Sequence, residues 1–279
     1  MIKTNFLIKI IIGLLLIPVI TNGGGWTQPK GASFFILEYR FLKSSKYLDG
    51  SGVHKQIPEL TDASFNLYGE YGLTEKLTLS LNFPFYKMLN KDVSFRPEIY
   101  GNLEERSGVG DLDFGIRYKV YSFGQTVLSA ALLFGIPVSK DEESVLPLSD
   151  GEFNQLFGFE IGHSFYPANA YLTGEVKFNN RTEGFSDQLY YAVEAGYNLF
   201  ENLLVNVRLH AIQSLHNGNR QNSESLLLFA NNQQFIAYKF GAFYNLMENM
   251  GITASFESGI IAYNIQSAPV LTLGLFIKS

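Results

Sequence analysis

The sequence predicts an all-β fold, a transmembrane antiparallel up-and-down β-barrel of about 12 strands. Apolar and polar residues alternate with a period of two along most of the chain. The stretch 77–83, Leu-Thr-Leu-Ser-Leu-Asn-Phe, places its apolar side chains on one face and its polar ones on the other. The connections are alternately long and short, as in barrels whose extracellular loops alternate with periplasmic turns. A soluble β-sandwich would alternate too, but it does not require this order of connections.

The first 23 residues are predicted to be a signal peptide, followed by the barrel over residues 24–279. Two lysines precede an apolar run at 10–20, and small and polar residues follow it, so we expect cleavage near Gly23. The run is too short for a membrane-spanning helix, which needs roughly twenty apolar residues. An exported chain without such a helix crosses a membrane with strands that close on themselves. The predicted location is therefore the outer membrane, as a multi-pass β-strand protein.

The first half of the barrel is predicted to contain six strands. In the first strand, Phe35 and Leu37 fall on one face while Glu38 and Arg40 fall on the other, which we assign to the lumen. A long polar connection through 44–58 follows, a tight turn joins the second strand to the third, and the fourth strand alternates most regularly. The six ranges are 31–42, 63–72, 77–86, 110–121, 126–136 and 154–165.

The second half is predicted to contain six more strands, joined by tight turns at 166–169, 200–202 and 247–249. The connection 214–232 is rich in Asn and Ser and is predicted to be an extracellular loop. An even number of strands places both termini on the periplasmic side. The fifth and seventh strands alternate least regularly, so about 10 or 14 strands stay open as alternatives. The six ranges are 170–178, 188–199, 203–213, 233–246, 250–263 and 269–278.

Composition and charge exclude several classes of function. With 21 Lys and Arg against 26 Asp and Glu, the formal net charge is −5, and this gives no basic footprint for nucleic acid. The absence of cysteine excludes disulfides, thiolate metal sites, a cysteine nucleophile and lipidation at a cysteine. Asp111 and Asp113 share one face of a strand but provide too few oxygen ligands for a calcium site. We expect neither a metal nor a cofactor.

Three stretches carry a resemblance to a known family. They are Gly-Trp-Thr-Gln-Pro-Lys-Gly at 25–31, Phe-Asn-Leu-Tyr-Gly-Glu-Tyr-Gly-Leu at 65–73 and Gly-Val-Gly-Asp-Leu-Asp-Phe-Gly-Ile-Arg-Tyr at 108–118. Together they resemble the family of outer-membrane transporters named for the meta-cleavage pathway of phenol degradation. The resemblance implies an outer-membrane barrel and the passage of small aromatic or apolar compounds. Its specific motifs lie before residue 119.

A barrel of this size is expected to have a narrow or plugged lumen, because about eight strands are filled by side chains and about sixteen leave a wide channel. The inward-facing charges are nearly balanced in sign. This balance favours pairing within the wall over a ring of one sign that would select ions. Lys177, Tyr68 and Tyr190 also face inward. The candidates for lining the pore are Glu38, Arg40, Glu70, Asp111, Asp113, Arg117, Lys119, Glu160, Glu175, Glu194, Arg208, His210, Lys239 and Glu257.

The predicted function is an outer-membrane channel or transporter for small solutes, aromatic or apolar ones among them, without enzymatic activity. Its expected partners are outer-membrane lipid and lipopolysaccharide, the barrel assembly machinery and a small solute of unknown identity, but no nucleic acid. A lipid hydrolase stays open as an alternative, although His163 and the serine beside it fall on opposite faces. His210 faces inward with Glu257 two strands away. A structural or adhesive barrel is the third class.

The assigned faces predict how two neighbouring positions respond to substitution. Ile116→Arg would place a cation in lipid and is expected to cost a few kcal/mol. Arg117→Ile is expected to leave membrane insertion intact and to alter conductance.

Overall fold

The computed structural model describes residues 24–138, 146–222 and 228–279 as a closed antiparallel β-barrel. The predicted signal peptide at 1–23 lies outside the described residues. No helix in the described part is long and apolar enough to cross a membrane. In chain order the strands are β1 (Ser33–Leu48), β2 (His54–Thr74), β3 (Leu77–Lys91), β4 (Glu105–Gly108), β5 (Leu112–Phe123), β6 (Thr126–Ile136), β7 (Asn154–Ser164), β8 (Ala170–Asn180), β9 (Gln188–Phe200), β10 (Leu203–Ser214), β11 (Gln234–Met247), β12 (Met250–Tyr263), β13 (Ile265–Gln266) and β14 (Val270–Lys278).

Twelve long strands form the wall, which confirms the predicted fold and number. Each pairs with the long strands before and after it, and β1 closes the barrel by pairing with both β2 and β14. The short strands β4 and β13 pair with β3 and β1 and extend the wall at one end. Because each long strand is paired on both sides, its backbone polar groups find partners within the protein, as a lipid environment requires.

The two ends of the barrel differ. One end, here named the turn end, carries the chain ends and the tight connections, and the opposite end, named the loop end, carries the longer connections. From β3 to β11 this alternation follows the predicted order of short and long connections. The tight connections lie at 75–76, 124–125, 165–169, 201–202 and 248–249.

The two faces of the wall separate as the alternation predicts. In β1, Phe35 and Leu37 are 39% and 43% exposed, whereas Phe34 and Ile36 are 3% and 1% exposed because they point into the lumen. The outer face thus carries the apolar band that a bilayer requires. Its members include Leu132, Phe159, Val193, Leu209, Phe240, Ile252 and Leu273.

The first connection differs from the prediction. The polar stretch 44–58 is strand on both sides of a turn at 49–53, so the prediction of a long loop there is wrong. Asp49 Oδ1 accepts hydrogen bonds of 2.9 Å from Ser51 N and from Val53 N, which close the turn. Polar residues form strand here because each strand supplies the backbone partners of the other, and a hairpin beyond the membrane needs no apolar face.

The connection after β3 is also more ordered than the predicted irregular loop. It contains a short helix, Pro97–Tyr100, and the strand β4. Lys91, which is 1% exposed, donates from Nζ to the carbonyl oxygens of Tyr100 and Gly101 at 2.5 and 2.8 Å. A cation at the C-terminal carbonyls of a helix is favourable, and here it ties the helix to the wall.

Candidate functional site in the barrel lumen

Residues 24–28, here named the N-terminal plug, lie inside the barrel at the turn end. Ser129 Oγ donates to Gly25 O at 2.5 Å, and Gln28 N donates to Thr78 Oγ1 at 2.7 Å. Ser129 and Thr78 are fully buried residues of the wall. A Cβ on Gly25 would lie 2.5 Å from a carbonyl oxygen of β6, so glycine is needed for the plug to lie this close to the wall. The plug is therefore attached to the wall by hydrogen bonds.

Apolar side chains surround the plug. The Trp26 ring meets Tyr171 edge to face, with ring centroids 6.1 Å apart and an interplanar angle of 89°. Tyr171 belongs to a group of buried inward-facing residues near the turn end, and the partly buried Trp26 ring packs against this group. This filling narrows the lumen there. We name the buried group the turn-end cluster; its members are Phe34, Ile36, Tyr171, Leu204, Phe243 and Phe276.

Arg117 on β5 connects the plug to two buried carboxylates. Its Nη1 lies 2.9 Å from Glu70 Oε1, and its Nε lies 2.5 Å from Glu160 Oε2. Nη1 also donates to Trp26 O at 3.3 Å, and Gln28 Nε2 donates to Glu70 Oε2 at 2.7 Å. The guanidinium therefore holds β2, β7 and the plug together with charge-assisted hydrogen bonds.

The ion pairs continue around the wall. Lys177 Nζ lies 2.6 Å from Glu160 and 2.8 Å from Glu175, which are directly opposite each other on β7 and β8. Arg208 in turn lies 2.7 Å from Glu175 and 3.4 Å from Glu194. Each cation thus separates two carboxylates that would otherwise repel each other. We name this series the lumen charge chain; it consists of Glu70, Arg117, Glu160, Lys177, Glu175, Arg208 and Glu194.

A cavity of about 370 Å³, the central cavity, lies beside the lumen charge chain and is lined by residues from opposite sides of the barrel. Glu38 and Lys239 also line it, and neither has an ion-pair partner within 4.0 Å among the described residues. The central cavity therefore exposes one carboxylate and one ammonium group without ion pairs in the described part of the chain, whereas the other charges that line it are paired within the lumen charge chain.

The predicted lumen residues are placed as follows. Glu70, Arg117, Glu160, Glu175, Glu194 and Arg208 come together in the lumen charge chain, while Glu38 and Lys239 line the central cavity. The predicted pairing of charges within the wall is thus observed. Whether any of these residues contacts a solute stays a prediction.

The remaining predicted residues lie toward the ends of the barrel. Asp113 accepts a hydrogen bond of 3.0 Å from Asn82 Nδ2, and Asp111 accepts one of 3.3 Å from Val138 N near the loop end. Lys119 lies near the turn end, with no ion pair among the described residues. Arg40, His210 and Glu257 lie nearer the loop end.

The histidines do not form a serine–histidine pair within the described residues. His163 Nδ1 lies 2.8 Å from Thr126 Oγ1 on the outer face. His210 Nε2 lies 3.4 Å from Glu257 Oε1 across β11, which agrees with the expected proximity of these two side chains.

The loop end is filled by a second apolar group, named the loop-end cluster. Leu146 and Leu148 from the connection between β6 and β7 fold into the mouth of the barrel and are 0% and 4% exposed. They pack against the inward faces of β2 and β3. The complete buried group is Ile57, Leu60, Leu89, Leu146 and Leu148.

Ion pairs hold this connection against its neighbours. Arg181 Nη2 lies 3.5 Å from Asp150 Oδ2, and Arg181 also pairs with Glu152 Oε1. The Phe185 ring has Arg181 and Arg220 over it, at 4.2 and 4.4 Å from its centroid. Burial raises the pKa of Glu152 to about 8, since the effect of Arg181 is smaller and the neighbouring Asp150 raises this pKa further.

A second cavity, the loop-end cavity, has a volume of about 240 Å³. It lies inside the barrel near the loop end, between β1 and β2 on one side and β11 and β12 on the other. Its walls combine apolar and charged side chains, among them Leu42, Phe235, Arg40, Asp62 and Glu257.

Sequence reasoning missed the plug and the loop-end cluster. A signal was present for the plug, because three glycines directly precede the single tryptophan of the chain, a few residues before the first strand. No local pattern distinguishes Leu146 and Leu148 from other loop leucines, since their partners lie far away in the sequence.

No protein-family model and no curated protein matches this chain. The fold is similar to that of the COG4313 outer membrane channel from Pseudomonas putida F1, with a TM-score of 0.67 and 16% identity over 93% of this chain and 100% of that one. It is also similar to the NanC porin, with a TM-score of 0.54 and 6% identity over 87% of this chain and 100% of that one. These structural neighbours are outer-membrane barrel channels.

Proposed function

We propose that this protein is an outer-membrane channel or transporter that admits small solutes selectively, rather than an open aqueous porin. One observation carries the proposal: in the described part of the chain, cavities of about 370 and 240 Å³ lie inside the barrel between a filled turn end and a filled loop end. A solute therefore has to displace or pass buried side chains at both ends.

The proposed orientation places the turn end and both termini in the periplasm and the loop end outside the cell, as in bacterial barrels with short periplasmic turns. The apolar outer face would contact lipid and lipopolysaccharide. Insertion would depend on the barrel assembly machinery, and export on the predicted signal peptide.

The proposed solutes are small aromatic or apolar compounds. The turn-end cluster supports this choice, because a solute leaving the central cavity toward the turn end meets Trp26, Tyr171 and Phe243 before it meets water. Aromatic walls bind apolar and aromatic molecules through burial of area and ring contacts. The resemblance of the three sequence stretches to the family of meta-cleavage pathway transporters points to the same solutes.

Conductance in planar bilayers tests the proposal. Residues 24–279 are expected to give small or infrequent current steps, and phenol or benzoate is expected to reduce them more than nucleosides or short sugars. A variant that begins at residue 29 lacks the N-terminal plug and is expected to give larger steps, provided that its folded form migrates faster than its heated form in gels. Equal steps from the two proteins, or block by sugars alone, would contradict the proposed closure or the proposed solute class.

A further inference from the structure

Asp62, on the inward face of β2, has a buried oxygen without a partner. The residue is 8% exposed and lines the loop-end cavity. Its Oδ2 lies 3.8 Å from Arg40 Nη1 and 3.7 Å from Lys87 Nζ, whereas its Oδ1 has no hydrogen-bond partner among the described residues. The two cations thus face one oxygen, and the other oxygen is free to accept a hydrogen bond.

Gln266 on β13 provides a second unpaired polar atom in the same cavity. Its Nε2 is buried and has no partner in the described part of the chain. Asp62 lies opposite Leu42 of β1, and Gln266 lies opposite Tyr47. Five residues along a strand span roughly 16 Å, so the acceptor and the donor belong to different ends of the cavity.

Most of the wall between these two positions is apolar, and Gln233 and Ser258 are polar members of it. Leu42, Phe235, Ala237, Ile265 and Val270 contribute their side chains to it. A buried donor or acceptor without a partner is unfavourable, and an apolar surface between two such atoms gives water few partners. An apolar molecule with polar ends matches this arrangement better than a row of waters does.

We propose that the loop-end cavity binds an elongated, uncharged amphiphile with an oxygen function at each end. One end carries a hydroxyl that donates to Asp62 Oδ1, the apolar body lies along Leu42 and Phe235, and the oxygen at the other end accepts from Gln266 Nε2. Arg40 and Lys87 next to Asp62 disfavour a cationic ligand, and Glu257 disfavours an anionic one. The site rests on the proposed transport function, in which it would receive solutes from the loop end.

Calorimetry on the full barrel in lipid nanodiscs tests the site, with empty nanodiscs as the reference for partition into lipid. The probes are straight-chain diols with terminal hydroxyls, from hexanediol to decanediol, and the single-hydroxyl alcohols of the same lengths. The diol whose length fits the cavity is expected to bind roughly tenfold more tightly than the single-hydroxyl alcohol of the same length, because only the diol satisfies both buried groups. Diols that are shorter or longer are expected to lose this advantage.

Two variants and a control assign the effect to the named residues. Asp62→Asn replaces the charged acceptor with a neutral amide, and Gln266→Leu removes the donor, so each is expected to lower the affinity of the best diol roughly tenfold. Glu38→Gln changes an inward carboxylate of the central cavity and is expected to leave the affinity unchanged. Each variant is first checked for the folded, heat-modifiable form.

Equal affinity of diols and alcohols at every length overturns the site, and this comparison needs only the unmodified protein. Diol affinity that survives both substitutions also overturns it. Current steps without diol binding would contradict the proposed site but not the proposed channel function. Diol binding to a barrel that passes no solute would support the site and contradict the channel function.

Discussion

At the scale of single residues, Arg117 carries more of the structure than its inward-facing position alone implies. The alternation of β5 predicts its direction, but not that its guanidinium lies between Glu70 and Glu160 and reaches Trp26 O. Contacts between strands that are far apart in sequence cannot be inferred from one strand. The prediction that Arg117→Ile leaves insertion intact treated Arg117 as a solvated lumen residue. In the structure Arg117 is buried and forms ion pairs, so this substitution is expected to affect stability as well.

We therefore expect Arg117→Met to destabilise the barrel by about 3–5 kcal/mol, because it leaves two buried carboxylates with one fewer cation. Lys119→Met, two residues away on the same face, removes a cation without an ion pair in the described structure and is the matched control. The free energies of unfolding in urea, measured in lipid vesicles, would show the difference. Equal values for the two variants would mean that the lumen charge chain does not stabilise the fold.

Ile116, the residue before Arg117 in β5, tests whether the outer face of the wall contacts lipid. Ile116→Arg places a guanidinium in the apolar band and is expected to cost about 2–4 kcal/mol, the range for a cation near the bilayer midplane. Phe123→Arg at the turn end, where Phe123 is 75% exposed, is expected to cost about 0–1 kcal/mol because the interface is close. Urea unfolding in vesicles measures both. A larger cost for Phe123→Arg than for Ile116→Arg would contradict the assigned position of β5 across the bilayer.

At the scale of elements, the sequence predicts strands well wherever lipid faces one side, because an apolar residue at every second position is then required. The twelve long strands follow from this rule. The rule does not apply to 44–58, where the hairpin extends beyond the membrane, or to the N-terminal plug, which has no strand partner. It also does not apply to the connection that contains Leu146, whose burial depends on β2 and β3.

This connection gives a prediction for pH. Because burial and Asp150 raise the pKa of Glu152 from its ordinary value of 4.5 to about 8, the folded loop end binds a proton more tightly than the unfolded chain does. Its stability is therefore highest below about pH 4.5 and falls as the pH rises toward 8 and through it. We expect amide exchange at 146–152, corrected for the intrinsic rate, to become faster between pH 6 and pH 9.

Glu152→Gln tests the assignment, since a neutral amide keeps an acceptor for Arg181 but does not titrate. The variant is expected to show exchange rates at 146–152 that do not depend on pH after the same correction. Glu98→Gln, an exposed carboxylate on the short helix, is the control and is expected to behave as the unmodified protein. A pH dependence that persists in Glu152→Gln would assign the effect to another group.

At the scale of the whole molecule, the barrel places two closures in series. The N-terminal plug and the turn-end cluster occupy one end, and the loop-end cluster occupies the other, with the two cavities between them. The tie between the plug and the wall is polar, through Arg117, Ser129 and Thr78, whereas the loop-end closure depends on apolar packing and on Arg181. The two ends can therefore be opened by different substitutions.

Resistances in series add, so opening one closure leaves the other to limit the current. We expect removal of residues 24–28 and the pair Leu146→Asn with Leu148→Asn each to raise single-channel conductance modestly. The protein with both changes is expected to conduct more than the two separate increases combined. Planar-bilayer recordings of the unmodified protein, the two altered proteins and the protein with both changes measure these conductances. Leu73→Asn, which replaces an exposed leucine on the outer face at the turn end, is the control. If one change alone gives the full conductance, the other end is already open, and the lumen has a single barrier to solutes.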